Sequence, residues 1–280
     1  MAIHNLGSIN IDHLFTVAAL PAPGETVISQ QLRTEAGGKG LNMSIAMARA
    51  GAGVYHYGCV GSDGQWLVDA LTHEGVNTDA IAHVSAPTGS AIVCVDANGE
   101  NQIIVNPGAN HAVDGSTLKT GKPGDWALFQ NETSGQTPFV KAAKAQGMTV
   151  AYAAAPFDLD VALAVLPMID CLIVNQIEAA QLCHATAKTI DQLGPAIAVV
   201  TQGGAGSTGY ARTGAVINCP ALPAQVVDTT AAGDTYTGYL LSALSTGQSL
   251  GAAMKLASRA ASIAVSRSGA AASIPFAREL

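Results

Sequence analysis

Asp228-Thr-Thr-Ala-Ala-Gly-Asp234 is a run of small residues closed by a carboxylate, and Thr235, Tyr239, Leu240, Leu241 and Leu244 follow it in a helical pattern. Small side chains let the backbone turn tightly and aim several N–H groups at one point, where the positive end of the helix macrodipole adds to them. The junction is built to hold an anion. Its closing acid has two readings: Asp234 complements the helix dipole as an ordinary first-turn residue, or it takes a proton beside a transferring phosphoryl group.

Far upstream, Ala36-Gly-Gly-Lys-Gly-Leu-Asn-Met43 opens a second small-residue helix, Ser44 to Ala50, and Cys59-Val-Gly-Ser-Asp-Gly64 follows it. Together the two clusters resemble the paired signatures of the PfkB carbohydrate kinase family, also called the ribokinase family. Gly7-Ser-Ile-Asn-Ile-Asp12, Pro23-Gly-Glu-Thr26, Gly108-Ala-Asn110, Asn175-x-x-Glu178 and Ser266-Arg-Ser-Gly269 fall in the family's order, so the resemblance runs from about Ile3 to Pro275. It implies an α/β fold: a three-layer α/β/α sandwich with a mostly parallel central sheet and a small β-sheet lid. One kinase domain is expected over 1–280, its lid formed by about 12–36 and 87–106. The implied activity is ATP-dependent phosphorylation of a sugar hydroxyl, with the primary 5-hydroxyl of D-ribose as the first expectation. Another free sugar or a nucleoside is the alternative within that chemistry, and a non-catalytic sugar-binding protein is the alternative outside it.

The pattern of the chain leads independently to the same fold class. Strand-like segments at Ile3 to Ile9, Val54 to Val60, Trp126 to Phe129, Thr149 to Tyr152, Cys171 to Val174 and Ala196 to Thr201 alternate with helical ones. Such alternation predicts a parallel sheet covered on both faces, with ligands at the C-terminal ends of its strands. Leu14 to Thr34, and Gly89 to Val105 with its Asp96-Ala-Asn-Gly99 turn, do not fit the alternation and are expected to pair elsewhere.

Composition narrows the classes. Apolar residues make up 49% and aromatics only 5%, so the core is expected to be built from Ala, Val, Leu and Ile. A net charge of −7 and the absence of any Lys/Arg run argue against a nucleic-acid partner. The five cysteines are widely spaced with no C-x-x-C pair, and the seven histidines lack metal-ligand spacing and are assigned no chemistry. No apolar stretch approaches the roughly 20 residues needed to cross a bilayer, and no basic leader precedes Ile3, so the expected location is the cytoplasm. There is no Walker A loop, and no G-x-G-x-x-G after the first strand to suggest a dinucleotide-dependent oxidoreductase.

Candidate site residues follow. Asn10 and Asp12 are expected to close the first strand, where an amide and a carboxylate can bind adjacent sugar hydroxyls, or else serve only as turn formers. The resemblance assigns Gly38, Lys39, Asn42 and Glu132 to the sugar side, with Val105 as an apolar contact. Asp234 then acts as base, and the N–H groups of Ala231, Ala232 and Gly233 form the anion hole. Asn175 and Glu178 either orient a water-coordinated Mg²⁺ or form a helix capping box. Thr201, Gly203 and Gly206, with Asn175 and Gly233, are expected on the nucleotide side. Asp228, Thr230, Ala264, Arg267, Gly269 and Ser273 match the family's K⁺ site. A homodimer joined through the lid is also implied.

Overall fold

The computed structural model describes residues 1–116, 118 and 120–280. Thirteen strands and seven α-helices alternate along it. In the first half these are β1 (Ala2–Leu6), β2 (Asn10–Thr16), β3 (Gln31–Gly37), α1 (Lys39–Arg49), β4 (Gly53–Val60), α2 (Gln65–His73), β5 (Asn77–His83), β6 (Gly89–Val95), β7 (Asn101–Asn106) and β8 (Trp126–Phe129). The second half holds α3 (Gln136–Ala145), β9 (Thr149–Ala153), α4 (Leu159–Val165), β10 (Cys171–Asn175), α5 (Gln176–Thr186), β11 (Ile197–Thr201), β12 (Ser207–Ala211), β13 (Val216–Cys219), α6 (Ala232–Ser245) and α7 (Leu250–Ala264).

Nine strands form the main sheet in the order β13-β12-β11-β10-β9-β8-β1-β4-β5. From β11 to β5 every neighbouring pair is parallel, while β12 and β13 add an antiparallel edge. A sheet covered on both faces needs apolar side chains on both, which is why Trp126–Phe129 and Cys171–Val174 are continuous buried runs. The alternation of side chains divides the core in two. Leu128, Ala151, Cys171 and Ile173 pack with α1, α2, α6 and α7, and Phe129, Val150, Tyr152 and Leu172 pack with α3, α4 and α5. This is the expected three-layer sandwich. At its centre α6 is buried from Asp234 to Ser245, so the acid near its start lies inside the protein while Ala232 and Gly233 reach toward the surface.

The two segments outside the alternation form a second sheet, ordered β3-β2-β6-β7. The expected turn at Asp96 closes the β6–β7 hairpin, with the Gly99 N–H donating to the Asp96 carbonyl. One expectation is corrected here. The run Ile3 to Ile9 is not a single strand, because β1 ends at Leu6 and the chain crosses to the second sheet at Asn10. Asn10 and Asp12 therefore open β2 rather than close the first strand. Among the described residues no helix is long and apolar enough to cross a membrane.

Candidate active site

Between the C-terminal ends of the parallel strands and the second sheet, the two glycine-bearing helix starts meet. Asn42 on α1 donates its amide to Asp234 Oδ2 at the start of α6, 2.9 Å away. Asp234 is 7% exposed. Burial pushes its carboxyl up, while the Lys39 ammonium and the Asn42 bond work against that rise. Lys39 is raised as well: Asp234 foremost, then Glu132, Glu178 and Asp12, raise its ammonium against the cost of burial. The ammonium thus stands charged among four carboxylates.

Asp12 faces this group from β2. Its carboxyl is pushed up to about 7, by burial first and then by the charges of Glu132 and Glu35. Gly37 makes the placement possible, because a Cβ there would fall 1.9 Å from Asp12 Oδ2. Asp12, Glu35, Ala91 and Val105 form one lateral row across the second sheet, so Val105 shares the face of Asp12, although it is half exposed. Glu132 accepts from the Ser8 hydroxyl and from the Lys39 N–H, the latter at 3.0 Å, and so places its carboxyl group at the start of α1. Asn10 is buried and its Oδ1 accepts from the Asn110 amide at 2.7 Å, which leaves the Asn10 amide donors for a ligand. Asp12 Oδ1 and Asn42 Oδ1 are buried without a partner among the described residues, and a polyhydroxylated ligand would supply the missing donors.

On the other side of the Ala232-Gly233 turn lies a cavity of about 600 Å³, large enough for a nucleotide's base and ribose. Thr201, Gly203, Gly206 and Gly233 line it, with Leu222, Pro223, Ala224, Val226, Ala261 and Val265 supplying apolar walls. Asn175 is not on this wall. Its Oδ1 accepts from the N–H groups of Ile177 and Glu178, and Glu178 Oε2 accepts from the Asn175 N–H at 2.7 Å, a complete capping box. The capping reading is realised, and Glu178 keeps Oε1 for another partner. Burial raises the Glu178 carboxyl, opposed by the Asn175 N–H and by Lys39.

The anion hole differs from expectation in one donor. Ala231 adopts the left-handed conformation, φ 57°, and this tight turn sends the Ala232 N–H back to the Thr229 carbonyl at 3.2 Å. Gly233 and Asp234, as the next helical residues, have N–H groups with no intrahelical acceptor. Of the expected K⁺ ligands, Asp228 and Gly269 meet directly: Asp228 Oδ2 accepts from the Gly269 N–H at 3.0 Å and Oδ1 from the Thr230 N–H at 2.8 Å. Burial opposes ionisation of Asp228, but these bonds prevail and hold its carboxyl below the usual value. The Ala264 carbonyl accepts from the Arg267 N–H, and the Ser273 hydroxyl donates to the Ala270 carbonyl. Each of these oxygens retains a lone pair.

Sequence reasoning missed Ser8 and Asn110 as the groups that hold Glu132 and Asn10. Both lie inside quoted motifs, but only contacts across 100 residues or more reveal their task.

A family profile described as pfkB family carbohydrate kinase matches residues 3–277. The chain belongs to this family. The ribokinase of Haemophilus influenzae is 33% identical over 293 residues, covering 98% of this chain and 95% of its own length. Among solved structures, ribokinase from Cryptococcus neoformans in complex with ADP superposes with a TM-score of 0.87 at 32% identity, covering 99% of this chain and 98% of that one. Arabidopsis thaliana ribokinase complexed with ribose and ATP gives 0.84 at 30% identity, over 99% and 97%. The family's members are carbohydrate kinases, and this chain is a sugar kinase by that membership.

The raised Asp12 carboxyl generates a pH prediction. The folded protein holds this proton up to about pH 7, whereas an unfolded Asp releases it near 3.8. The stabilising proton uptake is therefore complete below the unfolded value and is lost as pH rises from about 4 to 7. In Asp12→Asn this slope should be missing, so the melting temperature of the variant should gain on the parent across that window. Thermal melts at half-unit pH intervals check it.

Proposed function

We propose that this protein transfers the γ-phosphoryl group of ATP to the primary 5-hydroxyl of D-ribose. The observation that carries the reading is the position of Asp234: a buried carboxylate at the start of α6, held by Asn42, with the carboxylates of Asp12 and Glu132 on one side and the cavity bounded by Gly233 on the other. The ribokinases at about 30% identity over nearly the full chain support ribose as the acceptor.

Asn10 donates to, and Asp12 accepts from, sugar hydroxyls, with Asn42 Oδ1 and Glu132 as further acceptors. Asp234 takes the proton of the attacking hydroxyl as its oxygen reaches the γ-phosphorus. Negative charge on the transferring group is met by the N–H groups of Ala231 and Gly233 at the positive end of α6. Lys39 keeps its proton and offsets the carboxylates that would otherwise repel the phosphates. Mg²⁺ carried by the nucleotide would spread charge over the phosphates, and the free Oε1 of Glu178, accepting from its water shell, fits that sparse style of ligation. For K⁺, the charge of Asp228 and the carbonyls of Thr230, Ala264, Arg267 and Gly269 on the two segments it ties together, with Ser273, suit a large, weakly hydrated cation.

The second sheet serves as a lid over the sugar, with 1–280 forming one kinase unit. Its edge strand β7 is exposed along its whole length, and Ile104, Ile92 and Leu32 lie on the face opposite Asp12 with exposures of 68, 42 and 54%. An apolar sheet face of this kind is fitted to a second copy of itself, and we assign the homodimer contact to it.

Three measurements test this reading. Asp234→Asn should lower turnover of D-ribose with ATP by roughly 10² to 10⁴-fold or more, with ribose affinity by calorimetry little changed; turnover within tenfold of the parent removes Asp234 from the mechanism. Replacing K⁺ by Na⁺ at constant ionic strength should lower the rate, and Asp228→Ala should erase the difference; equal parental rates in both ions discard the cation site. Ile104→Asp should shift the sedimentation coefficient from dimer to monomer, and an unchanged dimer places the interface elsewhere.

A further inference from the structure

Beneath the sugar site runs a chain of hydrogen bonds that the phosphoryl-transfer scheme does not use. Gln130 donates to Asn5 Oδ1 at 2.9 Å, and Asn5 donates to Ser44 Oγ at 2.8 Å. Ser44 in turn pairs with His56 Nδ1 at 2.8 Å, and His56 Nε2 with the Gly7 carbonyl at 3.1 Å. All four side chains are 0 or 1% exposed. Their direction is set by chemistry: a carbonyl only accepts, so Nε2 carries the ring proton, Nδ1 accepts, and the Ser44 hydroxyl must donate to it. Burial lowers the imidazole to about 4, so His56 stays neutral and this single tautomer persists near neutral pH. The second amide proton of Asn5 goes to the Gly40 carbonyl at 2.8 Å.

The ends of this chain decide its meaning. Gly7 leads into Ser8 and Asn10; Gly40 lies in the turn that presents Lys39 and Asn42; Gln130 lies just before Glu132. These three segments carry the proposed sugar ligands, and they reach the site from β1, α1 and β8. Where they cross, Gly7 and Gly40 touch so closely that a Cβ on Gly40 would lie 2.3 Å from the Gly7 Cα. Backbones at that separation have no side chains of their own at the crossing; the Leu41 N–H donates to the Ser8 carbonyl at 2.9 Å and the Gly40 N–H to Ser8 Oγ at 3.2 Å, and the buried polar chain flanks these bonds.

We propose that Asn5, Ser44 and His56 are positioning residues for the sugar side of the site, fixing the Gly38–Asn42 turn relative to Ser8 and Glu132. This rests on the sugar-kinase reading of the site. Breaking the chain loosens the sugar ligands without touching the nucleotide cavity, none of whose walls it contacts.

The test uses Ser44→Ala, His56→Phe and the double variant of the full chain, with KM for D-ribose and for ATP measured separately and amide hydrogen exchange followed at Leu41 and Asn42. Each single change should raise the ribose KM by about 5- to 10-fold with the ATP KM within about twofold, and the double variant should be about as impaired as the worse single one, as for residues acting through one chain. Leu41 and Asn42 amides, which bond to the Ser8 and Gly38 carbonyls, should exchange at least about tenfold faster while those of α7 keep their protection. Ribose and ATP affected alike, additive losses, or unchanged exchange at Leu41 and Asn42 would overturn the proposal. Should His56→Phe fail to fold, Ser44→Ala, which removes one oxygen, decides by the same readouts. A parent that does not phosphorylate ribose refutes the functional reading alone, since the exchange comparison still decides the positioning role.

Discussion

One ammonium against four carboxylates is the constraint on which the site depends. Asp12, Glu132, Glu178 and Asp234 each act on Lys39, and without it their mutual repulsion in a partly dry pocket would force several of them to take up protons. The surplus of negative charge remains, and it is distributed by hydrogen bonding. Glu132 and Glu178 are anchored by N–H donors and Asp234 by Asn42, whereas Asp12 is left with an oxygen lacking a partner among the described residues, and its carboxyl is pushed up to about 7. The least satisfied acid is the one that lies on the second sheet, facing the space a substrate would fill.

That arrangement explains the division of labour between the two sheets. The large parallel sheet supplies rigid strand ends and the buried α6, so the proposed base and anion-binding turn are held by the main core. The small sheet contributes Asp12 through β2 and has little core of its own, being largely exposed along β3 and β7. Where the chain passes from one sheet to the other the link is polar: Asn110 accepts from the Ile9 N–H and donates to Asn10 Oδ1.

The fold class and the paired glycine clusters were legible in the sequence because strand and helix periods differ and because Asp234 and Asn42 sit in compact local motifs. Less legible were features whose physics is non-local. The run through Ile9 reads as one strand, since alternation cannot show that partners change at Gly7. The half-exposed edge strand β5 and the Gly-bearing hairpin β12–β13 lack continuous apolar runs and passed unnoticed. His56 carried no spacing signal whatever, and its significance comes from Ser44 and Gly7, one on a helix and the other in a loop. Conversely, the Asn175–Glu178 capping box was readable from spacing alone, because both of its partners lie within one helical turn.

The contact between Gly37 and Asp12 has a bearing on how such a site can change over generations. A side chain at 37 and the carboxylate of Asp12 would contend for the same space, so a larger residue at 37 requires the acid to move or be lost, whereas a smaller residue at 12 meets no such conflict. A lineage drifting toward a bulkier residue at 37 must first shift or surrender the acid. Mutational order is thereby restricted in one direction. Val105 on β7, half exposed in the same row as Asp12, carries no such conflict and is the position on this face most open to change.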